Sequence, residues 1–250
     1  MFISFFLIKN NHFKYINYIY MNYVHLGACV GDWGKNYKYR CGFTELIKKK
    51  YKFGDNVFLV EANPKNIPKL KKSYKGYKNI YYFNIGISSK KDGNIKFYYT
   101  DDDKPTFQVC SINKDHVKKH YPKSKIKNFS TKTIEINSFL EKKVKKKKID
   151  FLSIDLEGID YDIAITINYK KFDIQNISIE YLHLNSAEKR RLINKMIENG
   201  YSYCGFGYDH NNFDYLFRKK KIIKNKIISK FVWLIPNKYL HKLNNFVTKN

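Results

Sequence analysis

The sequence predicts an α/β domain with a mostly parallel sheet, helices on both faces of that sheet and a terminal antiparallel strand pair. Three observations predict this class. Short apolar segments alternate with amphipathic segments along most of the chain, a glycine-rich turn follows the first apolar segment, and two apolar segments with no helix between them end the pattern. Repeated strand–helix units produce parallel strands, and their helices cover both faces of the sheet.

The first part of the chain predicts two strand–helix units and a third strand. In chain order, these elements are the strand 23–26, a helix from Thr44 to Lys50, the strand 57–61, a helix with the apolar face Ile67, Leu70 and Tyr74, and the strand 80–83. The middle of the chain departs from this alternation. Asp92-Gly93 is a hairpin-turn signal before the alternating strand 94–100.

The second half predicts a solvated acidic loop and then a return to the α/β pattern. In chain order, its elements are the loop 101–103, a helix capped by Asn137 that runs through Val144, the strand 149–156, a helix through Ile163 and Ile167, the strand 177–181, a helix capped by Ser186 and ended by Gly200, and the paired strands 201–206 and 213–217.

The chain is strongly basic. Of its 250 residues, 48 are Lys or Arg and 22 are Asp or Glu, which gives a formal net charge of +26. Only four of the basic residues are Arg, whereas phosphate-binding surfaces favour the planar fork of Arg. We therefore interpret most of the charge as solvated surface, with a nucleic-acid surface as the alternative. The hydrophobic content of 43% excludes a globally disordered chain.

Composition and patterning divide the chain into an N-terminal extension (1–20), a main domain (21–218) and a basic amphipathic C-terminal tail (219–250). Such a tail is typical of a segment that binds an anionic membrane surface or RNA, or of a terminal helix packed on its domain. The apolar run near the N-terminus is too short for a signal peptide or a membrane span. Four scattered cysteines favour a reducing compartment over a disulfide framework or a zinc site. We expect a cytoplasmic protein, at most peripheral to a membrane.

The glycine-rich turn from Gly27 to Gly34 lies where the first strand passes to a helix, and Glu61 ends the second strand. Small residues at such a turn let the backbone approach a ligand, and an acid after the second strand of a doubly wound sheet accepts hydrogen bonds from ribose hydroxyls. NAD and S-adenosylmethionine both fit this layout. The turn reads G-A-x-x-G-x-x-G rather than G-x-G-x-x-G, so we favour a nucleoside-type ligand without a pyrophosphate.

Asp155 and Glu157 lie at the carboxyl end of the predicted strand 149–156. Two carboxylates two residues apart in extended backbone share one face, so repulsion between them can raise one pKa toward that of a general base. The pair could alternatively hold a divalent cation. A strand-end aspartate that caps the next helix is the structural alternative for Asp155.

Five segments in order resemble FkbM-type S-adenosylmethionine-dependent methyltransferases, over most of residues 22–218. The segments, each with the family pattern that it is similar to, are VHLGACVGD at 24–32 (D-x-G-A-N-x-G-D), FLVEANP at 58–64 (E-P-x-P), NIGIS at 84–88 with DG at 92–93 (N-A-x-S…D-G), TIEINSFL at 133–140 (T-x-L-D-x-F-L) and IDFLSIDLEG at 149–158 (I-D-F-L-K-I-D-x-E-G). The last segment is the most specific match.

The resemblance implies a class I methyltransferase (Rossmann-like) fold, S-adenosyl-L-methionine as the cofactor and methyl transfer to a hydroxyl, often on a sugar, a lipid-linked glycan or a natural product. It also implies a role for each matched position. The cofactor's methionine part would be lined by Gly27, Ala28 and Gly31, its amino group would be bound by His25, its ribose would be held by Glu61 next to Asn63, its adenine would be flanked by Asn84, Ile85 and Gly86, and the reacting centre would be faced by Asp155 and Glu157.

The chain departs from the family pattern at five positions. These are His25 for the acid of strand one, Cys29 for Asn, Ala62 for Pro, Asn137 for Asp and Ser153 for Lys. Asp155 is the predicted base for the hydroxyl proton, also near the cofactor, and His183 after the fifth strand is the alternative base.

The leading hypothesis is an O-methyltransferase for a carbohydrate, a glycan or another small hydroxylated acceptor. The charge of +26 and the basic tail make an RNA methyltransferase the alternative. A third hypothesis is a cofactor-binding or membrane-scaffolding protein in which His25 and Ser153 mark lost catalysis.

Overall fold

The computed structural model describes residues 20–32, 40–208, 212–219, 223–236, 239–240 and 243. The predicted N-terminal extension, except Tyr20, lies outside the described residues, as do the end of the glycine-rich turn from residue 33 onward and much of the basic tail. The division of the chain into three segments therefore stays a prediction.

The described residues form twelve strands and seven α-helices. The strands are β1 (Asn22–Leu26), β2 (Asn56–Val60), β3 (Ile80–Phe83), β4 (Gly86–Ser88), β5 (Gly93–Thr100), β6 (Ile126–Glu135), β7 (Lys148–Ile149), β8 (Phe151–Ile154), β9 (Asp173–Ile174), β10 (Asn176–Glu180), β11 (Ser202–Phe206) and β12 (Asp214–Arg218). The helices are α1 (Gly42–Lys50), α2 (Ile67–Ser73), α3 (Lys114–His120), α4 (Ile136–Phe139), α5 (Asp160–Thr166), α6 (Ser186–Glu198) and α7 (Ile223–Phe231).

The main sheet has seven strands in the order β3-β2-β1-β8-β10-β12-β11. The five strands from β3 to β10 are parallel, and β12 runs antiparallel to both β10 and β11. β1 is the middle one of the five parallel strands, and its His25 pairs with Leu59 of β2 and Ser153 of β8. The predicted parallel sheet with a terminal antiparallel pair is confirmed, although β12 rather than β11 joins the pair to the rest of the sheet.

Two hydrophobic clusters cover the two faces of this sheet. Alternate residues of a strand point to opposite faces, so Val24 and Leu26 of β1 belong to one cluster and Tyr23 to the other. Helix α6 packs on the first face through Leu192, Ile193 and Met196. Helix α1 packs on the second through Phe43, Leu46 and Ile47. The layered α/β architecture follows directly from this division.

The predicted hairpin at Asp92-Gly93 is wrong. The strands on either side of this turn, β4 and β5, both pair with β6, which lies between them in a separate three-stranded sheet. The Asp92 carboxylate accepts a hydrogen bond from the backbone amide of Glu135 at 2.8 Å. The turn is therefore fixed to the end of β6.

Two predicted helix caps are also corrected. Glu135, not Asn137, caps α4, because its carboxylate accepts from the amides of Asn137 and Ser138. Asn185, not Ser186, caps α6 and forms a capping box with Glu188. Both helices begin earlier than predicted: α4 begins one residue before the predicted cap, and α6 begins at the predicted cap itself, so a preceding side chain faces the free amides.

The acidic segment 101–103 is a short 3₁₀ turn rather than a solvated loop. Asp103 is buried, and its carboxylate accepts hydrogen bonds from the amide of Val109 and the hydroxyl of Tyr121. Burial raises the pKa of Asp103 above its ordinary value. The predicted strand 149–156 is likewise divided into β7 and β8 at Asp150, whose carboxylate accepts from the amide of Asn22 in β1.

The described part of the tail packs on the domain. The hydroxyl of Ser229 in α7 accepts a hydrogen bond from the backbone amide of Tyr203 in β11 at 2.7 Å, and Val232 and Leu240 are fully buried in the first hydrophobic cluster. Among the described residues, every helix is too short or too polar to cross a membrane. Membrane or RNA binding by the tail stays a prediction.

Candidate functional site

A cavity of about 370 Å³ lies at the carboxyl ends of the parallel strands β1, β2, β8 and β10. Open α/β sheets bind their ligands at this edge. The cavity is enclosed by the turn after β1 (27–31), the end of β2 (60–62), the start of β4 (85–87), the loop after β8 (155–157) and the loop after β10 (182–183). Segments far apart in the sequence therefore share one space.

All but two of the predicted site residues line this cavity. They are His25, Gly27, Ala28, Gly31, Glu61, Ile85, Gly86, Asp155, Glu157 and His183. The other two, Asn63 and Asn84, do not line the cavity and are hydrogen-bonded to Glu61 instead. The side-chain amide of Asn84 donates to the backbone oxygens of Glu61 and Ala62, at 2.9 and 3.0 Å, so it braces the loop after β2 rather than facing the cavity.

The turn after β1 is fixed by backbone contacts that only glycine permits. Gly27 has a φ of +84°, and a Cβ atom there would lie 1.6 Å from the backbone oxygen of Asp155. The amides of Gly27 and Ala28 both donate to the backbone oxygen of Val60, at 3.0 and 2.8 Å. The turn is thus held against the ends of both neighbouring strands, β2 and β8.

Glu61 connects the turn to the loop after β2. Its carboxylate accepts hydrogen bonds from the backbone amides of Cys29 at 2.8 Å and Asn63 at 2.6 Å. Burial raises the pKa of Glu61 to about 7, although both amides act in the opposite direction by favouring the carboxylate. The Glu61 side chain is 6% exposed and lies where an acid of a doubly wound sheet meets ribose hydroxyls.

His25 places a polar atom without a partner beside the cavity. The ring packs on Phe43 with a centroid separation of 4.4 Å, and its Nδ1 has no hydrogen-bond partner among the described residues. Burial lowers the pKa of His25 to about 3, so the imidazole is neutral. A buried polar atom without a partner is costly, and a ligand that supplies a hydrogen-bond donor would remove this cost.

The loop after β8 brings two carboxylates to the opposite side of the cavity. The amide of Asp155 donates to the backbone oxygen of Leu26 at 3.0 Å, which continues the pairing of β8 with β1. Glu157 has a φ of 53°, and its backbone oxygen accepts from the Ser111 hydroxyl at 2.7 Å. Neither Asp155 nor any other described side chain caps α5; the carboxylate of Asp160, its first residue, instead accepts from the amides of Leu156 and Gly158 in the preceding loop. Asp155 and Glu157 are therefore left facing the cavity.

Three further residues at this end were missed by the sequence analysis: His116, His120 and Glu180. The Nε2 of His116 donates to Glu157 Oε2 at 2.9 Å. Glu180 and His120 line the cavity beside His183. Two of these residues carried a sequence signal, because His116 and His120 have the i, i+4 spacing that places two imidazoles on one helix face.

The cavity is acidic although the chain is strongly basic. Four carboxylates line it: Glu61, Asp155, Glu157 and Glu180. Within the described part of the chain, Arg40 is the only Lys or Arg that lines it. The lysines of the described residues therefore lie outside the lining of the cavity.

In this parallel sheet, the turn after β1 and the acid at the end of β2 meet in one cavity. This arrangement defines an α/β domain that binds a nucleoside-type cofactor. Comparison with known families identifies the kind of domain. The Methyltransferase FkbM domain matches residues 25–206, which is most of the chain. The chain therefore belongs to the FkbM methyltransferase family. It is an S-adenosylmethionine-dependent methyltransferase with the class I fold that the resemblance implied.

Two solved structures are similar to the chain at 11% sequence identity. The fibrillarin pre-rRNA processing protein of Methanococcus jannaschii matches with a TM-score of 0.40, over 80% of this chain and 66% of that one. The fibrillarin of Aeropyrum pernix, in complex with natively bound S-adenosyl-L-methionine, matches with a TM-score of 0.41, over 79% and 64%. The chain thus spans about two thirds of their lengths. None of the curated proteins matches the chain.

Proposed function

We propose that this chain transfers the methyl group of S-adenosylmethionine to a hydroxyl of a carbohydrate, a glycan or another small acceptor. The observation that supports this acceptor class is the charge of the cavity. Among the described residues, four carboxylates and one guanidinium line a space of about 370 Å³, in a chain of net charge +26. This volume is near the lower end of the range for small-molecule sites, about 300–1,000 Å³.

An acidic cavity favours cationic and neutral ligands over phosphates. Like charges within a few ångströms repel strongly in a partly buried site, so a phosphate close to Asp155 and Glu157 would be unfavourable. A sulfonium and a neutral hydroxyl meet no such penalty.

The residues present fit the cofactor. The Nδ1 of His25 offers an acceptor for an ammonium group, and the carboxylate of Glu61 offers acceptors for ribose hydroxyls. The turn at Gly27 exposes backbone rather than side chain to the methionine part. When bound, S-adenosylmethionine supplies a methyl group that is already activated by its positive sulfur.

The chain's own residues then have two tasks. The first is alignment, because the acceptor oxygen must lie in line with the methyl carbon and the sulfur. The second is removal of a proton. The carboxylate of Asp155 would take the hydroxyl proton as the acceptor oxygen bonds to the methyl carbon in exchange for that carbon's bond to sulfur, whose electron pair would stay on the departing sulfur. General-base assistance of this kind contributes about 10²–10⁴-fold.

RNA stays the alternative acceptor. The net charge of +26 favours it, whereas the acidic cavity disfavours a phosphate-rich chain at the reacting centre. The two acceptors differ in salt dependence. For RNA, the logarithm of the binding constant falls linearly with the logarithm of the salt concentration, because phosphates that the protein neutralises release their counterions. Methylation of a neutral acceptor lacks this dependence.

The proposal is tested by transfer of a labelled methyl group to matched acceptors. Neutral monosaccharides and oligosaccharides are compared with their phosphorylated counterparts and with RNA, each at low and high salt. The proposal predicts labelled ether product with at least one neutral acceptor and less product with its phosphorylated counterpart. Product from RNA alone, lost at high salt, would establish the alternative.

A further inference from the structure

Three imidazoles lie close together at the end of the cavity where we expect the acceptor to bind. His116 and His120 come from α3, and His183 comes from the loop after β10. The ring centroids of His116 and His183 lie 4.5 Å apart, those of His116 and His120 lie 4.9 Å apart, and those of His120 and His183 lie 5.6 Å apart. Each residue offers one ligand nitrogen within 4.8 Å of the other two. We propose that this cluster binds a divalent transition-metal ion of the zinc class.

The hydrogen bonding of the rings supports a metal rather than a stacked aromatic cluster. In the part of the chain that the structure describes, no hydrogen bond joins one of these imidazoles to another. His116 instead donates from Nε2 to Glu157 Oε2, which leaves the lone pair on Nδ1. The rings therefore keep nitrogens that can coordinate an ion.

Two carboxylates lie beside the rings. Glu157 Oε2 is 2.9 Å from the Nε2 of His116, and Glu180 Oε1 is 3.6 Å from the Nε2 of His183. A carboxylate that accepts a hydrogen bond from one nitrogen of an imidazole orients the ring and raises the basicity of its other nitrogen. Glu157 makes such a hydrogen bond with His116.

The ligand chemistry distinguishes this site from an alkaline-earth site. Imidazoles suit zinc and its first-row neighbours, whereas magnesium and calcium take oxygen ligands. An all-carboxylate group exists nearby at Asp155, Asp160 and Glu180. In that group, Asp160 already accepts two backbone hydrogen bonds in the loop before α5, at 2.6 and 3.1 Å. The histidine cluster is therefore the favoured site.

The geometry leaves one coordination position open. Zinc nitrogens at about 2.0–2.1 Å in a tetrahedron are about 3.3 Å apart, so the cluster must close slightly around the ion. The exposed side chain of His120 can provide this movement. Because His120 and His183 line the cavity, an ion held by them would be accessible from the cavity. There the ion would lower the pKa of a bound hydroxyl before Asp155 takes its proton. This role rests on the proposed function, whereas the metal site itself does not.

The test is metal binding by the full-length, untagged chain after dialysis against a chelator. Calorimetry with Zn²⁺ is expected to show one equivalent bound. His120→Ala and His183→Ala are each expected to weaken this binding by more than the about 10–100-fold that loss of an outer-shell partner costs. Lys119→Ala, an exposed neighbour on α3, is the matched control and should bind like the wild type. The spectrum of the Co²⁺-loaded chain should show tetrahedral bands without a thiolate charge-transfer band.

Two results would overturn the proposal. One is zinc binding by the wild type that is no tighter than binding by the His120→Ala/His183→Ala double variant. The other is a cobalt–thiolate band, which would assign the ion to cysteine. S-adenosylhomocysteine binding is measured on every variant. Retained cofactor binding shows that a variant is folded, and it separates failure of the metal site from failure of the proposed methyl transfer.

Discussion

The carboxylate of Glu61 accepts a hydrogen bond from the backbone amide of Cys29 at 2.8 Å, which ties the end of β2 to the turn after β1. Cys29 has a φ of 48°, a conformation that few residues other than glycine adopt. The same carboxylate accepts from the amide of Asn63 at 2.6 Å. The two loops expected to hold the cofactor are therefore positioned by one buried acid.

Glu61 makes the stability of the ligand-free chain depend on pH. Its pKa is about 7 in the folded chain, above the ordinary value of 4.5, so the fold favours the protonated carboxyl. Its contribution to the free energy of unfolding is fully present below about pH 4.5 and is lost as the pH rises through about 7. Relative to Glu61→Gln, the wild type should lose up to about 3 kcal/mol over this range. Denaturant unfolding at a series of pH values measures this difference.

The control for the Glu61 experiment is Glu198→Gln, which removes an exposed carboxylate from α6. Its difference from the wild type should stay constant over the same pH range. A constant difference for Glu61→Gln as well would contradict the raised pKa.

Replacement of Gly27 by alanine should disrupt the site. The added Cβ would lie 1.6 Å from the backbone oxygen of Asp155, and the φ of +84° is itself unfavourable for alanine. The turn and the loop after β8 must then separate, and we expect at least about a tenfold loss of cofactor affinity, or about 1.4 kcal/mol. Calorimetry measures the cofactor affinity, and thermal unfolding shows how far the disrupted turn lowers the stability of the chain. Gly93→Ala is the control, since its Cβ would have no heavy atom within 4 Å. Equal affinities of the two variants would count against the described turn.

His25→Phe should separate cofactor binding from stability. Phenylalanine can keep the packing on Phe43, but it removes the Nδ1 that has no partner among the described residues. The ligand-free variant should be as stable as the wild type or more stable, because a buried polar atom without a partner is gone. Affinity for S-adenosylmethionine should fall about tenfold through the lost hydrogen bond. Unchanged affinity, measured by calorimetry, would show that His25 does not contact the cofactor.

Asp155→Asn should slow the chemical step and spare cofactor binding. An amide cannot take the hydroxyl proton, so single-turnover methyl transfer should slow by about 10²–10⁴-fold while affinity for S-adenosylhomocysteine changes little. Asp162→Asn, an exposed change in the first turn of α5, should leave the rate unaltered. A full rate with Asp155→Asn would contradict the assignment of the base to Asp155.

The sequence predicted the elements whose cause is local. Buried apolar strands such as 57–61, and the glycine at the turn after β1, follow from residue type and spacing alone. Cavity-lining residues such as Glu61 and Asp155 were found because the carboxyl ends of parallel strands must meet. Others, such as His25, Ile85 and Gly86, were found through the resemblance to FkbM-type methyltransferases.

The remaining features depend on contacts between distant segments. The position of β6 between β4 and β5 and the contact of His116 with Glu157 join residues about 40 positions apart. The spacing of His116 and His120 was visible in the sequence, but nothing local indicated that His183 would lie beside them. The cap of α4 was misplaced for a smaller reason, because the helix begins at Ile136 and Glu135 faces its free amides.

Calorimetric titration of the full chain with S-adenosylmethionine and S-adenosylhomocysteine tests the central claim most directly. The account predicts that both bind the wild type at one site, and that Gly27→Ala weakens both while Gly93→Ala weakens neither. A folded wild-type chain that binds neither compound at high micromolar concentration would contradict it.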